Sequence, residues 1–286
     1  MTDGAKSRHG VFALFPWASL TSTLAPLGIF AATALTVLLV ARLGLAWLYS
    51  ARLGAAGGLA PILEVGLRFD LVIVAGICAL SLLINILAPG AFLRSSAWLS
   101  IRTAWFMGWM MLLVFNEAAT PAFMAEFGVR PNRQYVEYLN TPALVFSTIW
   151  NNNRTSLLVG IVLTVFAAAL TWALLRRAPG PVRSPGVWLR LFVLLPGLVI
   201  LGYTVRGSLG HRPLSVSTAA LSTDATVNDL ALNSTYSAFH ALWQLQVERG
   251  DLSGYAVLPE AEVVARVRAG MQLPGSVFAE IGRAHV

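Results

Sequence analysis

The chain has 286 residues, of which 57% are hydrophobic and only 12% charged, and its net charge of +7 rests on arginine except for Lys6. A soluble domain carries about 25% charged residues, so this composition excludes an ordinary soluble protein and predicts an all-α membrane protein. The arginines are scattered singly between apolar runs, which excludes a nucleic-acid-binding face. A single cysteine, Cys78, excludes an intrachain disulfide and a cysteine metal cluster.

Five apolar stretches are long enough to cross about 30 Å of hydrocarbon, which takes about 20 helical residues. We predict transmembrane helices over residues 24–49, 69–88, 101–122, 156–175 and 187–205. The chain then divides into a cytoplasmic N-terminus (1–23), a transmembrane domain (24–205), an extracytoplasmic linker with helices (206–279) and a tail (280–286).

The distribution of basic residues predicts the orientation in the membrane. With the N-terminus inside, the inner face holds Lys6, Arg8, Arg94, Arg102, Arg176, Arg177, Arg183 and Arg190, and the outer loops hold Arg52, Arg68, Arg130, Arg133 and Arg154. The loop RRAPGPVRSP (176–185) is short and contains no acidic residue, so it is the strongest single indication of this orientation. We therefore predict a multi-pass protein with its N-terminus in the cytoplasm and its C-terminus outside.

The segment between the third and fourth predicted spans, 115–154, is long for a connector. Thr141 is a suitable N-cap, Pro142 suits the first helical position, and an apolar stripe follows that ends at Trp150. We predict a short helix here. It either lies in the outer membrane interface or packs on the spans without lipid contact.

After the last span, glycine and proline break the helix and a Ser- and Asn-rich stretch follows. Asn233 or Ser234 can cap a helix with an aromatic row on one face. The docking candidates in that row are Tyr236, Phe239 and Trp243. We predict that this face docks on the loop 127–150. His211 and His240 have too few neighbouring carboxylates to predict a zinc site.

Three stretches carry a resemblance to a known family: GLRFDLVIV (66–74), EFGVRPNRQYVEYL (126–139) and GHRPLSVSTAALSTDATVNDLALNSTYSAF (210–239). In their order and in their positions relative to five spans, they resemble the membrane part of lipoteichoic acid synthase-like phosphoglycerol transferases. These enzymes of the bacterial inner membrane belong to the sulfatase and alkaline phosphatase superfamily. The resemblance covers residues 24 to about 245.

The resemblance implies a five-span domain, a helical linker and a catalytic domain outside the membrane. It further implies a threonine nucleophile and a Mn²⁺ or Mg²⁺ ion in that domain, which would move glycerol phosphate from phosphatidylglycerol to a glycan or polymer. No catalytic or metal-binding residue of this chain matches that chemistry, so we expect the chain itself to be inactive. The alternatives are a phosphoethanolamine transferase-type or sulfatase-like membrane protein, a small transporter, or a structural membrane subunit.

The tail EIGRAHV (280–286) is expected to be an artefact. The codons ATC GGA AGA GCA CAC GTC, which encode its last six residues, match a common short-read sequencing adapter. We therefore expect a fragment that stops before its catalytic domain, and we exclude the tail from reasoning about the fold.

Cationic side chains near the outer face are candidates for binding the phosphate of a lipid head group. These candidates are Arg68, Arg130, Arg133 and Arg212. Asp70, Asn116 and Glu117 fall at predicted span ends on the same side. We expect water to reach Arg68 and these three residues. Their role is either structural, in which they anchor the helix ends or pair with one another, or functional, in binding the lipid head group.

Overall fold

The computed structural model describes residues 15–138, 140–178, 186–208, 211–252 and 258–271. Within these ranges the chain forms helices and no strand. The prediction of an all-α membrane protein is confirmed, since five of the described helices are long and apolar enough to cross a membrane. Several predicted features lie outside the described residues, namely most of the N-terminus, Arg183, Gly210 and the tail 280–286.

In chain order the helices are α1 (Phe15–Leu48), α2 (Leu59–Leu87), α3 (Gly90–Leu93), α4 (Ser96–Phe127), α5 (Arg133–Tyr138), α6 (Pro142–Asn152), α7 (Arg154–Leu175), α8 (Val187–Arg206), α9 (Ala225–Ala231), α10 (Ser234–Leu252) and α11 (Glu260–Met271). The candidate spans are α1, α2, α4, α7 and α8. Each of these helices covers one of the five predicted stretches, except that two of the stretches end one residue beyond their helix. One π-helical turn, Arg190–Leu194, interrupts α8 just before Pro196, which has no N–H to donate to the preceding turn.

Three helices begin several residues earlier than predicted, α1 at Phe15, α2 at Leu59 and α4 at Ser96, and in α2 and α4 polar residues continue the helix. α2 begins ten residues early, and Arg68 Nη2 lies 2.6 Å from Glu64 Oε1 on the same helix. α4 begins after Ser95, whose hydroxyl accepts a hydrogen bond from the Trp98 N–H at 3.1 Å. Hydropathy therefore locates the apolar middle of a span, while caps and ion pairs determine where the helix ends.

Helices α1, α2 and α4 enclose the core of the bundle. The ring of Phe30 in α1 stacks on that of Phe106 in α4 with centroids 4.5 Å apart, and both side chains are fully buried. Trp105 Nε1 donates a hydrogen bond to the carbonyl of Ile77 at 3.2 Å, which joins α4 to α2. The three helices are thus held by ring packing and by a polar contact within the bundle.

Helix α7 packs on α4 through small residues. A Cβ atom added to Gly160 would lie 3.6 Å from the Cβ of Ala118 on α4. Thr164 and Thr171 follow on the buried side of α7, and their hydroxyls donate to carbonyls of their own helix at 2.7 and 2.8 Å. Small side chains permit close packing of membrane helices, where no hydrophobic effect drives association.

Contacts between neighbouring helices identify the ends that lie together. Arg42, near the end of α1, contacts Gly66 near the start of α2. Gly207, which directly follows α8, lies against Val72 of α2. We call this end of the bundle the Leu48 end, after the last residue of α1. The N-terminus of α7 and the C-terminus of α4 lie together, because Gly160 contacts Ala118. They lie at the Leu48 end because the neighbouring residues Asn233 and Thr235 hydrogen-bond to Asp70 of α2 and to Asn116 of α4.

Helices α5 and α6 connect α4 to α7 at the Leu48 end. The short helix predicted in this segment is confirmed, with Pro142 as its first residue. The predicted cap is wrong, because the Thr141 side chain accepts no hydrogen bond from the helix. Its hydroxyl donates to the carbonyl of Tyr138 at 3.4 Å instead.

The segment after α8 folds back onto the Leu48 end. Val227 and Leu230 of α9 are fully buried, in one apolar cluster with Ile62 and Phe69 of α2. Of the two predicted caps of the next helix, Asn233 and Ser234, the structure shows Asn233, because its Oδ1 accepts a hydrogen bond from the Tyr236 N–H at 3.0 Å. The first part of the predicted linker is therefore a packed element of the membrane domain.

The chain divides into two compact units, Met1–Leu242 and Trp243–Val286. The described part of the second unit comprises the end of α10 and all of α11. In α11, Arg266 and Glu262 form an ion pair at 2.7 Å, with both side chains exposed. Such an exposed pair one helical turn apart contributes only about 0.3–0.5 kcal/mol.

Two glycines that end helices provide a test of how the returning segment packs. Gly128 and Gly207 have φ angles of 72° and 71°, a conformation that costs other residues about 1–2 kcal/mol. A Cβ atom at Gly128 would meet nothing within 4 Å, whereas one at Gly207 would lie 2.6 Å from the Cβ of Leu214. We expect Gly207→Ala to lower the melting temperature of the purified protein clearly more than Gly128→Ala does. Equal decreases would contradict the packing of Leu214 against the end of α8.

Candidate functional site

Two buried arginines lie at the Leu48 end of the bundle. Arg42 on α1 and Arg130 after α4 are 3% and 2% exposed. Each lies against a buried carboxylate, Asp70 on α2 or Glu117 on α4. A buried guanidinium is costly unless it is paired and its N–H groups are satisfied, so the partners of these two side chains define the site.

Arg42 connects α1, α2 and the returning segment. Its Nη2 donates to Asp70 Oδ1 at 2.7 Å and to the carbonyl of Gly66 at 3.1 Å. Its Nη1 lies 2.8 Å from each of three successive carbonyls, those of residues 230–232 at the end of α9. These carbonyls lack partners within their own helix, and a cation is favourable there. One guanidinium therefore caps α9 and fixes it to α2.

The contact between Arg42 and α2 requires glycine at position 66. A Cβ atom added there would lie 2.3 Å from Arg42 Cζ, which is closer than Cβ atoms approach a neighbour. Gly66 is therefore part of the binding surface for the guanidinium. Glycine is required here for close packing and not for an unusual backbone conformation, since Gly66 lies inside a regular helix.

Arg130 makes a second connection to the same segment, at the start of α10. Its Nη1 donates to both oxygens of Glu117, at 3.1 and 3.2 Å, and to Ser234 Oγ at 2.9 Å. Glu117 Oε1 also accepts a hydrogen bond from the Ser234 backbone N–H at 2.9 Å. A carboxylate at a helix N-terminus is favourable, so Glu117 both neutralises Arg130 and caps α10.

Burial has different consequences for two groups around Arg130. Burial lowers the pKa of the Arg130 guanidinium, and the charge of Glu117 opposes this decrease. Burial also raises the pKa of the Asp229 carboxyl, although this carboxyl accepts a hydrogen bond from the Arg130 backbone N–H at 2.9 Å. Arg130 Nε and Nη2 have no hydrogen-bond partner among the described residues. Its pairing therefore rests on Nη1 and the backbone N–H.

Neutral polar groups complete the connection between bundle and segment. Asn233 donates a hydrogen bond to Asp70 at 2.8 Å, and the hydroxyls of Thr120 and Ser234 lie 2.6 Å apart. Asn116 donates to Thr235 at 3.1 Å and accepts a hydrogen bond from Tyr135 at 3.2 Å. We call the whole set, together with Arg42, Gly66, Glu117, Arg130 and residues 230–232, the polar clamp. It joins three helices of the bundle to the end of α9 and the start of α10.

The predicted head-group residues have different surroundings. Arg68 and Arg133 are about half exposed, and each pairs with a glutamate one turn away on its own helix, at 2.6 and 2.7 Å. Arg212 is exposed. Arg130 is fully buried in the polar clamp. Within the described residues these four cations therefore do not share one environment, and only Arg130 belongs to the clamp.

The expectation that water reaches the polar residues at the span ends holds for Arg68 and is wrong for the other three. Asp70, Asn116 and Glu117 are 3%, 5% and 8% exposed. They are buried because the returning segment covers the end of the bundle. The sequence did contain a signal, since Arg42 is a charge well inside an apolar run, and such a charge requires a buried partner.

The prediction that the aromatic row docks on loop 127–150 is wrong for the two residues in the first unit. Tyr236 packs edge-on against Phe69 of α2 with centroids 4.8 Å apart, and its hydroxyl donates to the Leu214 carbonyl at 3.0 Å. The ring of Phe239 lies 5.8 Å from that of Trp109 on α4. Trp243 belongs to the second unit and is 61% exposed.

The described residues contain no group of three or more His, Cys, Asp or Glu that could hold a metal ion. Cys78 is buried within α2. Apart from Arg130 Nε and Nη2, the polar groups of the clamp are paired with one another, so the arrangement can fix a segment in place. No family model matches the chain, and no solved structure matches it.

Two glycines of α2 form a matched pair for testing the clamp. A Cβ atom at Gly66 would displace Arg42, whereas one at Gly76 would meet Val205 at an ordinary 3.8 Å. Alanine is about 1 kcal/mol better than glycine in a helix, so Gly76→Ala should be harmless. We expect Gly66→Ala to accelerate amide hydrogen exchange across residues 225–242, measured by mass spectrometry, and Gly76→Ala to leave it unchanged. Unchanged exchange in both variants would contradict the role of Arg42.

Proposed function

We propose that this chain is the membrane-anchoring and positioning part of an enzyme similar to the phosphoglycerol transferases of the bacterial cell envelope. The polar clamp carries this proposal. Two buried arginines hold a segment that lies outside the five spans at one defined place on the bundle. An anchor that only retained a protein at the membrane would not need its following segment fixed in this way.

The energetics of the clamp favour positioning over simple stability. Replacing a buried ion pair by apolar residues of similar volume is often neutral or stabilising, whereas removal of one partner costs about 3–5 kcal/mol. Such pairs therefore add little net stability but strongly favour one geometry. Here the preferred geometry includes the corner at residues 230–234, where Arg42 contacts backbone carbonyls and Arg130 contacts the Ser234 hydroxyl.

The clamp lies close to the edge of the hydrocarbon layer. At one end of α8, Arg190 donates to the carbonyl of Ala88 at 2.6 Å, and at its other end Gly207 lies against Val72. Residues 72 to 88 of α2 rise about 24 Å at 1.5 Å per residue. If the hydrocarbon, about 30 Å thick, is centred on α8, Val72 lies near its boundary, and Asp70 is two residues further on. The clamp thus fixes the segment at the level where lipid head groups begin.

This placement suits chemistry on a lipid head group. A reacting group must come within about 3–3.5 Å of its attacking atom, and a displacement of about 1 Å can cost on the order of a hundredfold in rate. The family resemblance rests partly on residues 228–233, and the three carbonyls of the returning segment that Arg42 contacts fall within that stretch. We propose phosphatidylglycerol as the lipid, Mn²⁺ or Mg²⁺ as the metal of a catalytic domain that follows, and the Leu48 end as the outer face.

The test uses the polypeptide encoded by the complete reading frame at this locus, in membranes with Mn²⁺ and phosphatidylglycerol labelled in its head group. We expect head-group release from that polypeptide and none from the 286-residue chain. Gly66→Ala should lower lipid turnover by about tenfold or more while a water-soluble phosphodiester analogue is hydrolysed normally, because only the lipid reaction depends on height above the membrane. Gly76→Ala should match the unaltered protein on both substrates.

Two results would contradict the proposal. A stop codon directly after codon 279 at the locus would remove the expected catalytic domain. Equal losses on the lipid and on the soluble analogue in Gly66→Ala would mean that the clamp supports folding of the enzyme and does not position it.

A further inference from the structure

We propose that helix α6 lies in the plane of the membrane interface, with its apolar face on the acyl chains of the lipids at the Leu48 end. The partner of this face is thus the bilayer itself. The inference is independent of the transferase proposal, since it rests on the connection between two spans and not on the polar clamp.

The sequence of α6 has the composition of an interfacial helix. Residues 142–153 include no charged side chain. At 100° per residue, one side of the helix presents Val145, Phe146, Ile149 and Trp150. The other side presents Ser147, Thr148, Asn151 and Asn152, with Leu144 as its one large apolar residue. The helix has 11 residues, too few to cross the hydrocarbon, so a membrane location requires it to lie flat.

The described protein leaves the Phe146 and Trp150 part of this apolar face exposed, while Val145 and Ile149 are half-buried. No residue of α6 is buried, and Phe146 and Trp150 are 58% and 40% exposed. Their two rings stack on each other with centroids 5.9 Å apart. The preceding helix α5 differs, because it buries Val136 and is joined to α4 by the hydrogen bond from Tyr135 to Asn116.

The apolar face continues a surface that faces lipid. α7, a membrane span, begins at Arg154, two residues after α6 ends, and the two helices pack together. Val162 on α7 is 66% exposed, as expected of a residue that contacts acyl chains. The Arg154 guanidinium lies 4.6 Å from the centre of the Trp150 ring. Tryptophan and arginine are typical of the head-group level, where the ring meets hydrocarbon and the cation meets water.

The single native cysteine makes a direct test possible. In a Cys78→Ala background, Phe146→Cys, Thr148→Cys and Val162→Cys are labelled separately with a nitroxide and reconstituted in vesicles of phosphatidylcholine and phosphatidylglycerol. Oxygen concentrates in hydrocarbon, and a nickel chelate remains in water. We expect the ratio of oxygen to nickel accessibility at position 146 to exceed that at position 148 several-fold and to approach the lipid-facing reference at position 162.

Two outcomes would overturn the proposal. Equal, high accessibility to nickel at positions 146 and 148 would mean that α6 stands in water. Exclusion of both reagents from position 146, with an immobilised label, would mean that protein covers the face, either a second copy of the chain or another partner. Fluorescence gives an independent check, since lipids brominated on their acyl chains should quench the protein less after Trp150→Phe.

Discussion

A guanidinium buried in an apolar helix bundle must find a carboxylate and acceptors for its N–H groups, and the Leu48 end is built around this requirement at Arg42. Asp70 supplies the charge, and the carbonyls of Gly66 and of residues 230–232 supply the acceptors. The returning segment cannot leave without exposing these carbonyls and leaving Arg42 with unpaired donors. The position of α9 on α2 thus depends on one side chain of α1 as well as on the apolar packing of Val227 and Leu230.

Arg130 and Glu117 extend the same principle to the next helix. Arg42 binds the C-terminal carbonyls of α9, and Glu117 accepts from the N-terminal N–H of α10. The corner between these two helices is therefore held by charges of the sign that each helix end favours. Such complementarity favours this orientation of the corner, which is the basis for connecting the clamp with positioning.

The spans could be predicted from sequence because hydropathy depends on local composition, and all five are present in the described residues. The burial of Asp70 and Glu117 could not be predicted in this way. Their surroundings depend on residues far along the chain, since Arg42 and Leu230 are separated by 188 positions. The docking surface of Tyr236 was missed for the same reason: an aromatic row indicates that a partner exists but does not identify Phe69. The Asn233 cap was predictable because capping acts within one turn.

The most direct test of the clamp is a cross-link between Thr120 on α4 and Ser234 at the start of α10, whose hydroxyl oxygens lie 2.6 Å apart. Thr120→Cys and Ser234→Cys are combined in a Cys78→Ala background, with a protease site inserted in residues 179–185. After mild oxidation in native membranes and cleavage, we expect a disulfide to keep the two fragments together on a denaturing gel until reductant is added. Each single-cysteine variant should separate into two fragments. Separation of the double variant without reductant would contradict the claim that the segment is fixed on the bundle.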